Sequence, residues 1–357
     1  MSTVSADTPN AIEISNVWKI FGTRADEALA ALQKQPLSKE EILQQYNCVV
    51  GVANASMDIR LGEIFCVMGL SGSGKSTLVR HINRLLEPSA GNIRVNGKDV
   101  MAMGPEALRQ FRNKHISMVF QNFALMPHRS VIDNIAMPLE IRGVSKNQRI
   151  ETAQRTMDMV ELTSWGNKFA HELSGGMQQR VGLARALAAD PEILLMDEPF
   201  SALDPLIRRQ LQNEFMGLAA SFKKTTVFIT HDLDEAVRIG DRISIMRDGQ
   251  VIQTGTPEEI VMHPADDYVA EFVAGISRLK IVKASAIMTP LAAFESKHGA
   301  LPGDALAFDK NTSLGTLIDA SLETQNPIAI VDEDKQRVGA ITRTDLLRIV
   351  SEGQEAA

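Results

Sequence analysis

A glycine-rich segment, GLSGSGKS at residues 69–76, lies between a short apolar run and a helix-forming run. It matches the pattern G-x-x-x-x-G-K-[ST], in which glycines let the backbone turn so that its N–H groups point at phosphate oxygens. The N-terminus of the following helix adds a favourable dipole for an anion. The segment predicts a phosphate-binding loop (P-loop). Kinases, molecular switches and transport motors can all contain such a loop.

The loop pattern assigns roles to its residues. Lys75 is expected to reach the β- and γ-phosphates, and the Ser76 hydroxyl is expected to ligate Mg²⁺. A chance glycine-rich turn is a poor alternative, because both the preceding strand and the following helix are present in the pattern. The residues expected to contact the nucleotide are Gly69, Ser71, Gly72, Ser73, Gly74, Lys75, Ser76 and Thr77.

A second apolar run, ILLMDEP at residues 193–199, contains two acids at its end. A strand that ends in this way places Asp197 beside the nucleotide, where it holds Mg²⁺ directly or through water. Glu198 comes immediately after it, and a carboxylate there is suited to polarise an attacking water. An exposed acid pair at a strand end is the alternative, but the P-loop already requires an acidic partner.

The identity of the base is suggested by the residues that the chain contains. A guanine-specific switch would use an N-K-x-D stretch, and none occurs in the sequence. Adenine can stack on an aromatic ring, for which Phe21 or Trp18 is available, and of the two we expect Phe21 to stack. Either ring could instead belong to the core of its strand. These residues favour ATP over GTP as the nucleotide, and the loop pattern implies Mg²⁺.

Apolar runs of strand length alternate with helix-forming segments in GEIFCVMG, EILLMDEP and TTVFITHD. This alternation predicts a parallel α/β sheet. Residues about 23–50 interrupt the early strands with two helix-forming stretches, and residues about 122–190 are mostly helical. A change of composition near residue 280 predicts two domains, residues 1–279 and residues 280–357.

Composition narrows the possible partners. The net charge is −7, and no block of lysine or arginine indicates a nucleic acid. The two cysteines form no disulfide framework, which fits the reducing cytoplasm. The first residues lack the pattern of a signal peptide, and no apolar run is long enough to span a bilayer. We expect a soluble chain, which could still sit on a membrane by binding a protein that spans it.

A second phosphate-binding helix start is predicted by LSGGMQQR at residues 173–180. Ser174 would cap this helix, and Gly175 and Gly176 leave its first N–H groups accessible. One γ-phosphate does not need two such cradles from a single chain. The simplest explanation is that the second cradle serves a nucleotide held by another subunit, although in isolation a plain capped helix would be preferred.

These motifs, in their order, resemble the ATP-binding subunit of an ABC transporter. The P-loop, FQNFALMPH, LSGGMQQR, LLMDEPFSALDP and ITHDLDEA cover residues from about 12 to 275. The resemblance implies a P-loop NTPase of the ABC type, an α/β fold with a RecA-like core plus a helical subdomain. It implies an ATPase in which two copies close head to tail on two ATP molecules, the second cradle of each copy capping the ATP of the other.

The same resemblance implies roles for further residues. Gln121 would touch Mg²⁺ and the attacking water and would sense the membrane partner. His231 would hold the γ-phosphate and orient the water with Glu198, which makes Glu198, His231, Gln121 and Lys75 the catalytic set. Asp204 would link the two sites across the interface. Ser76, Gln121 and Asp197 form the implied metal site.

Some positions depart from the family pattern in an informative way. Met177 replaces the glutamine usual in LSGGQ, and Phe21 stands where tyrosine usually stacks on adenine. The long insertion after Phe21, with ALMPHRSVIDN and HDLDEAVRIGDRI, resembles the importer branch for glycine betaine and proline, whose solutes are quaternary ammonium osmoprotectants. That branch implies two membrane permease subunits, an extracytoplasmic substrate-binding protein, and a peripheral position on the cytoplasmic face of the membrane.

The C-terminal stretch from NTSLGTL to TRTDLLRIV resembles one CBS motif, so a small α/β CBS-like domain is expected after the ATPase. Such motifs usually pair around adenine nucleotides, and the implied ribose and phosphate contacts are Thr342 and Asp345. The two copies in a dimer could pair with each other as a regulatory module. A stability or dimerisation module without a ligand is an equal alternative.

Two other functions remain open from the sequence. A soluble ABC-type ATPase that acts on ribosomes or nucleic acid usually has two ATPase cores or a long coiled coil, and this chain has one P-loop. A small-molecule kinase gives no account of LSGGMQQR. The permease would dock on a groove lined by Phe123, Leu125, Met126 and Pro127, which could equally be a local core.

Overall fold

The computed structural model describes residues 7–332 and 334–354. The chain divides into two compact units between Thr254 and Gly255. This division precedes the predicted boundary at residue 280, because the segment that begins at Gly255 packs with residues beyond 280. Met262 lies against the core of the second unit, and Glu258 forms an ion pair of 2.9 Å with Lys283.

The central sheet of the first unit has six strands in the order β10-β9-β3-β8-β7-β6. Strands β9, β3, β8, β7 and β6 are parallel, which confirms the predicted α/β sheet. The first ten strands along the chain are β1 (Asn10–Phe21), β2 (Val49–Arg60), β3 (Ile64–Met68), β4 (Ala90–Val95), β5 (Lys98–Asp99), β6 (Ile116–Val119), β7 (Ile193–Asp197), β8 (Thr225–Thr230), β9 (Arg242–Arg247) and β10 (Gln250–Gly255).

Because β9, β3, β8, β7 and β6 run parallel, their carboxyl ends meet at one edge of the sheet. The P-loop follows β3, Gln121 follows β6, Glu198 follows β7 and His231 follows β8. The first nine helices are α1 (Ala25–Lys34), α2 (Lys39–Tyr46), α3 (Lys75–Ile82), α4 (Pro105–His115), α5 (Val131–Ile141), α6 (Lys146–Met159), α7 (Gly175–Ala188), α8 (Pro205–Phe222) and α9 (Leu233–Ile239).

A separate four-stranded antiparallel sheet, in the order β2-β1-β4-β5, packs over the central sheet. Alternate residues are buried in the second half of β2, from Ala53 to Ile59, and in β4 at Ile93 and Val95, as expected for a sheet with one covered face. Ile12 and Val95 of this sheet share one apolar core with Phe65 and Val67 of β3 and with Leu78 of α3. This core fixes the P-loop helix between the two sheets.

The insertion between β1 and β2 forms the two predicted helices, α1 and α2. Helix α2 begins with a capping box in which the Ser38 hydroxyl accepts from the Glu41 N–H and the Glu41 carboxylate accepts from the Ser38 N–H. The insertion has its own small core, which includes Ile20, Ile42 and Cys48. Its two ends touch: a Cβ placed on Gly22 would lie 2.5 Å from the Cys48 sulfur.

Helices α5, α6 and α7 form the predicted helical subdomain. Its apolar core contains Ile135 from α5, Met157 from α6 and Val181 and Ala184 from α7. Helix α7 also contacts helix α8 and β6, the edge strand of the central sheet. The helix that begins at Ser174 is therefore packed in a different core from the helix that follows the P-loop.

The second unit contains a four-stranded sheet in the order β11-β14-β13-β12. From residue 311 to residue 354, a helix, a strand, a turn, a strand and a helix follow one another, and the segment ASAIMTP forms a short helix and a two-residue strand. Its elements are α10 (Pro257–Met262), α11 (Asp267–Val273), α12 (Arg278–Ile281), α13 (Ala284–Ile287), β11 (Thr289–Pro290), α14 (Leu291–His298), β12 (Ala307–Asp309), α15 (Leu314–Glu323), β13 (Ile328–Val331), β14 (Arg337–Ile341) and α16 (Arg343–Gln354).

Across the described residues, no helix combines the length and the apolar character needed to cross a membrane.

Candidate nucleotide site

The P-loop backbone has the turns that its glycines predict. Gly72 and Gly74 adopt φ of +80° and +98°, which side chains disfavour. A Cβ on Gly74 would lie 2.4 Å from the carbonyl oxygen of Gly51 on β2, so only glycine fits there. A Cβ on Gly72 would meet nothing within 4 Å. The loop therefore packs closely on β2 at Gly74, whereas the space beside Gly72 is open.

Lys75 is the buried cation of this loop. Its ammonium group donates hydrogen bonds of 2.7 and 3.0 Å to the carbonyl oxygens of Gly69 and Leu70. Burial lowers the pKa of Lys75, and the carboxylates of Glu198 and Asp197 oppose that shift. A buried ammonium group beside an open loop is suited to bind an anion.

Ser76 and Asp197 lie together, as the sequence predicted for a metal site. The Ser76 hydroxyl donates a hydrogen bond of 2.7 Å to one oxygen of the Asp197 carboxylate. The other oxygen accepts from Arg80 at 2.9 Å, and Asp197 is only 1 % exposed. A hydroxyl and a carboxylate are oxygen donors of the type that Mg²⁺ prefers.

The ends of three neighbouring strands bring the predicted catalytic residues to one edge. The Glu198 carboxylate lies 3.1 Å from Nδ1 of His231 and 4.0 Å from the Lys75 ammonium group. Gln121 is exposed beyond the end of β6, where Val119 pairs with Met196 of β7. Gln121 therefore lies at the register level of Glu198, two residues past that pair.

Two observations fit a phosphate and its metal in this site. The Ser73 hydroxyl is buried and has no hydrogen-bond partner among the described residues, and its own N–H is bonded to Leu70. An orphaned buried donor next to open space at Gly72 is a group that a phosphate oxygen would satisfy. The oxygen donors of Ser76 and Asp197 fit Mg²⁺ without any change of residue.

Phe21 lies near the loop and is 40 % exposed. Its ring lies against Gly51, where a Cβ would come within 2.6 Å of a ring carbon, and Gly51 in turn contacts Gly74. The Lys19 ammonium group lies 5.1 Å from the ring centroid. Trp18, the other aromatic considered, packs instead on the small core of the insertion. Of the two rings, Phe21 is the one available for stacking.

The second cradle is a capped helix start, as predicted. The Ser174 hydroxyl accepts a hydrogen bond of 3.4 Å from the Met177 N–H, and Ser174 and Gly175 are exposed. Met177, which departs from the family pattern, packs on the core of the helical subdomain. Asp204 is exposed and caps α8 by accepting from the Ile207 N–H at 3.1 Å.

The predicted docking groove is only partly as expected. A cavity of about 290 Å³ lies between the helical subdomain and β6, and of the four predicted lining residues only Met126 lines it. Leu125 packs into the helical core instead, and the Phe123 ring lies near Gly175. The cavity lining also includes Phe120, Ala124 and Arg185. The apolar residues of this loop follow one another in the sequence, so the pattern did not indicate which of them faces the cavity.

Sequence reasoning missed residues that act on the site through others. Arg80 holds Asp197, as described above. The Ser201 hydroxyl donates a hydrogen bond of 3.0 Å to the carbonyl oxygen of Glu198, which itself adopts a φ of +46°. Arg80 lies one turn after Ser76 on a predicted helix, so the spacing could have indicated that it shares a face with Ser76.

The arrangement of P-loop, strand-end acids and a separate capped cradle defines an ABC-type ATPase. The profile of the family described as ABC transporter matches residues 52–201. A solved dimer of an ATP-binding cassette in a post-hydrolysis state, bound to ADP and Pi, is similar with a TM-score of 0.58 and 30 % identity over 69 % of this chain and 98 % of that one.

Relatives that are similar over nearly the whole chain indicate which group of the family it belongs to. The glycine betaine/carnitine transport ATP-binding protein GbuA of Listeria monocytogenes is 44 % identical, over 96 % of this chain and 83 % of the relative. The glycine betaine/proline betaine transport ATP-binding protein ProV of Escherichia coli is 42 % identical, over 94 % and 96 %. The trimethylamine N-oxide transport ATP-binding protein TmoW of Pelagibacter ubique is 41 % identical, over 95 % and 97 %. This chain belongs to the ATP-binding subunits of ABC transporters, within the group of these osmolyte transport systems, and it is an ATPase.

Proposed function

We propose that this chain is the energy-coupling ATPase of an importer for glycine betaine, proline betaine, choline or a closely related compatible solute. The observation that supports this most strongly is similarity over nearly the whole chain to transport subunits named for such solutes. The match includes the insertion and the C-terminal unit, which lie outside the 52–201 core of the family. A soluble ATPase acting on ribosomes or nucleic acid is not favoured by these relatives.

The working unit proposed is a head-to-tail dimer. The P-loop and the Ser174 cradle belong to different cores of one chain, so each could face a separate nucleotide. In the dimer, Ser174, Gly175 and Gly176 of one copy would complete the ATP site on the P-loop of the other. The exposed cap residue Asp204 would lie at the same interface. The dimeric state of the similar cassette supports this arrangement.

Hydrolysis is assigned to the edge where the three strands end. Glu198 would accept a proton from the attacking water, because its carboxylate is fixed there by His231. Lys75 and the backbone N–H groups of the loop would stabilise the phosphate charge. Mg²⁺, when bound, would neutralise further negative charge and would be held by Ser76, Gln121 and Asp197. Phe21 would orient the adenine by stacking.

Partners follow from the class of transporter. The cavity of about 290 Å³ between β6 and the helical subdomain would receive a short cytoplasmic segment of a membrane permease. An extracytoplasmic binding protein would deliver the solute, and this chain would sit on the cytoplasmic face of the plasma membrane as a peripheral subunit. No part of the proposed function involves nucleic acid.

The C-terminal unit is proposed as a CBS-like regulatory module, with adenine nucleotide as its candidate ligand. Thr342 and Asp345 bond to each other at the start of α16, with 2.6 Å between the hydroxyl and the carboxylate. A ligand would therefore compete with this cap. Uptake should be measured against ionic strength for the full chain and for a chain ending at Thr254. An unchanged dependence on ionic strength would contradict the regulatory role.

The substrate proposal is tested by transport. A bacterial strain without osmolyte uptake would express this chain with its neighbouring permease and binding protein, and uptake of labelled glycine betaine, choline, proline and trimethylamine N-oxide would be compared. Saturable uptake of one quaternary ammonium solute, abolished by Glu198→Gln, is the expected result. Uptake confined to another class of solute would overturn the substrate assignment, and uptake that survives Glu198→Gln would overturn the energy-coupling role.

A further inference from the structure

Helix α7 holds a loop at one end and forms a cradle at the other. Near its C-terminal end, the Arg185 guanidinium donates hydrogen bonds of 2.6 Å to the carbonyl oxygen of Ala124 and 3.0 Å to that of Phe123. These carbonyl groups lie two and three residues after Gln121. The same helix begins at Ser174. Both predicted contacts to nucleotide, Gln121 and the cradle, are thus attached to one rigid element.

The charge of Arg185 makes this attachment strong. The side chain is 7 % exposed, and burial is the cause that lowers its pKa. The charge is compensated by the two carbonyl dipoles of the loop. A buried cation that lost these acceptors would have an uncompensated desolvation cost. The loop carbonyl groups are consequently held in one direction.

The loop conformation supports the same conclusion. Phe123 and Ala124 adopt φ of +55° and +49° in succession, a conformation that is unfavourable for residues with a Cβ. It turns both carbonyl groups toward Arg185. The loop also follows the helix along its length, since the Phe123 ring lies near Gly175 and the Phe123 carbonyl near Gly182. Contacts at both ends of α7 therefore sustain the strained turn.

We propose that Arg185 is a positioning residue that makes Gln121 and the Ser174 cradle move as one body. Resting on the proposed head-to-tail dimer, this inference means that the state of a copy's own site reaches the cradle that it offers to its partner. The cavity is part of the same device, because Ala124 and Arg185 line it. A permease segment bound in this cavity would contact Arg185 and Ala124 directly.

The test uses the full chain with Glu198→Gln, so that ATP is bound without turnover. Dimer formation is followed by sedimentation during ATP titration, and binding to the monomer is followed with a fluorescent ATP analogue. Arg185→Lys keeps the charge but cannot hold both carbonyl groups in a planar fork. We expect the ATP concentration for half-maximal dimerisation to rise on the order of tenfold, with monomer binding changed less than about twofold.

Arg142→Lys is the matched control. Arg142 is also partly buried, burial also lowers its pKa, and it also donates to backbone carbonyl groups, those of Asn113 and Ala189. Asn113 and Ala189 line the cavity, and Ala189 directly follows α7, but neither belongs to the loop after Gln121 or to the cradle. We expect Arg142→Lys to lower the melting temperature without moving the dimerisation midpoint. If Arg185→Lys dimerised like its parent, or if Arg142→Lys shifted the midpoint equally, the inference would be wrong.

A second variant covers the case in which Arg185→Lys does not fold. Phe123→Ala removes the other contact between the same loop and helix, and it should shift the dimerisation midpoint in the same direction. Combining it with Gln121→Ala should add little, because both changes act through one loop. Full additivity would contradict the inference. Failure of the parent chain to dimerise with ATP would instead contradict the proposed function.

Discussion

The Glu198 carboxylate and the His231 imidazole lie 3.1 Å apart although 33 residues separate them in the chain. They meet because each follows a strand, and those strands, β7 and β8, are parallel neighbours in which Asp197 pairs with Ile229. His231 is 52 % exposed, whereas Glu198 is 17 % exposed. The imidazole can therefore contact a ligand from the solvent side while it orients the carboxylate.

Glu198→Gln should abolish turnover and retain ATP binding, because the amide keeps the shape of the side chain but cannot accept a proton. We expect kcat to fall by at least about a hundredfold, within the range attributed to general base catalysis. Steady-state phosphate release and equilibrium binding of ATP would be measured on the same preparation. Hydrolysis near the rate of the parent chain would show that the base is a different residue.

His231→Gln should lower kcat more than it lowers ATP affinity, because it removes the group that lies against the Glu198 carboxylate. Adding His231→Gln to the Glu198→Gln variant should have little further effect on turnover, since in the proposed mechanism both residues act on one water. His263→Gln, in the second unit, is the control. Independent effects of the two changes on kcat would contradict the prediction that Glu198 and His231 act together.

Arg80→Met should weaken the use of Mg²⁺. The change removes one of the two hydrogen-bonded neighbours of Asp197 and leaves a buried carboxylate less firmly placed. We expect the Mg²⁺ concentration for half-maximal activity to rise by about tenfold, the lower range for loss of an outer-shell contact. Arg109→Met, which removes an exposed pair with Glu106, should leave the Mg²⁺ dependence unchanged. A lower kcat at unchanged Mg²⁺ dependence would contradict this role.

Phe21→Ala should raise the KM for ATP by roughly tenfold, since stacking of a base on an aromatic ring is worth about 1–3 kcal/mol. Phe21→Tyr should retain the parent value, because the ring is kept. Trp18→Phe should lower the melting temperature and leave KM unchanged, since Trp18 packs on the core of the insertion. An equal effect of Trp18→Phe on KM would show that the base contact is assigned wrongly.

Glu235 should make stability depend on pH. Burial raises its pKa, although hydrogen bonds from the Thr230 and Gln212 side chains oppose the shift. The native state thus binds the proton more tightly than the unfolded chain. The stability that Glu235 contributes is therefore fully present below pH 4.5, its ordinary pKa, and is lost as the pH rises through the raised native pKa. Glu235→Gln should flatten the decline of unfolding free energy as the pH rises from 4.5 through the raised pKa of Glu235.

Urea unfolding at several pH values checks this prediction, with the exposed Glu151→Gln as the control. Burial raises the pKa of Glu63 in the same direction, so the slope should decrease and not vanish. A slope identical to that of the parent chain would exclude Glu235 as its source.

Local patterns were sufficient to predict much of the fold. The strand, loop and helix around Lys75 form as the glycine spacing indicated, and the two helix-forming stretches of the insertion form α1 and α2. These features depend on neighbours within a few residues. The spacing did not indicate that the helix after the P-loop ends at Ile82. Helix ends depend on tertiary packing, which the local pattern does not contain.

Contacts between distant segments could not be predicted in the same way. Gly51 lies between Phe21 and Gly74 only because β2 returns beside β1 and under the P-loop. Arg185 finds two carbonyl groups more than sixty residues earlier in the chain. The division at Thr254 depends on where α10 packs. Each of these is a property of topology, and periodicity in one segment does not encode it.

The contact between Gly22 and Cys48 gives the insertion a practical property. Since the chain leaves and re-enters the sheet at one point, helices of another length, or a small reporter domain, could replace residues 23–47 without changing the register of β1 and β2. A fluorophore grafted there would lie beside Phe21. The same junction that makes this segment easy to extend would thus make it a place from which nucleotide exchange can be observed in a working transporter.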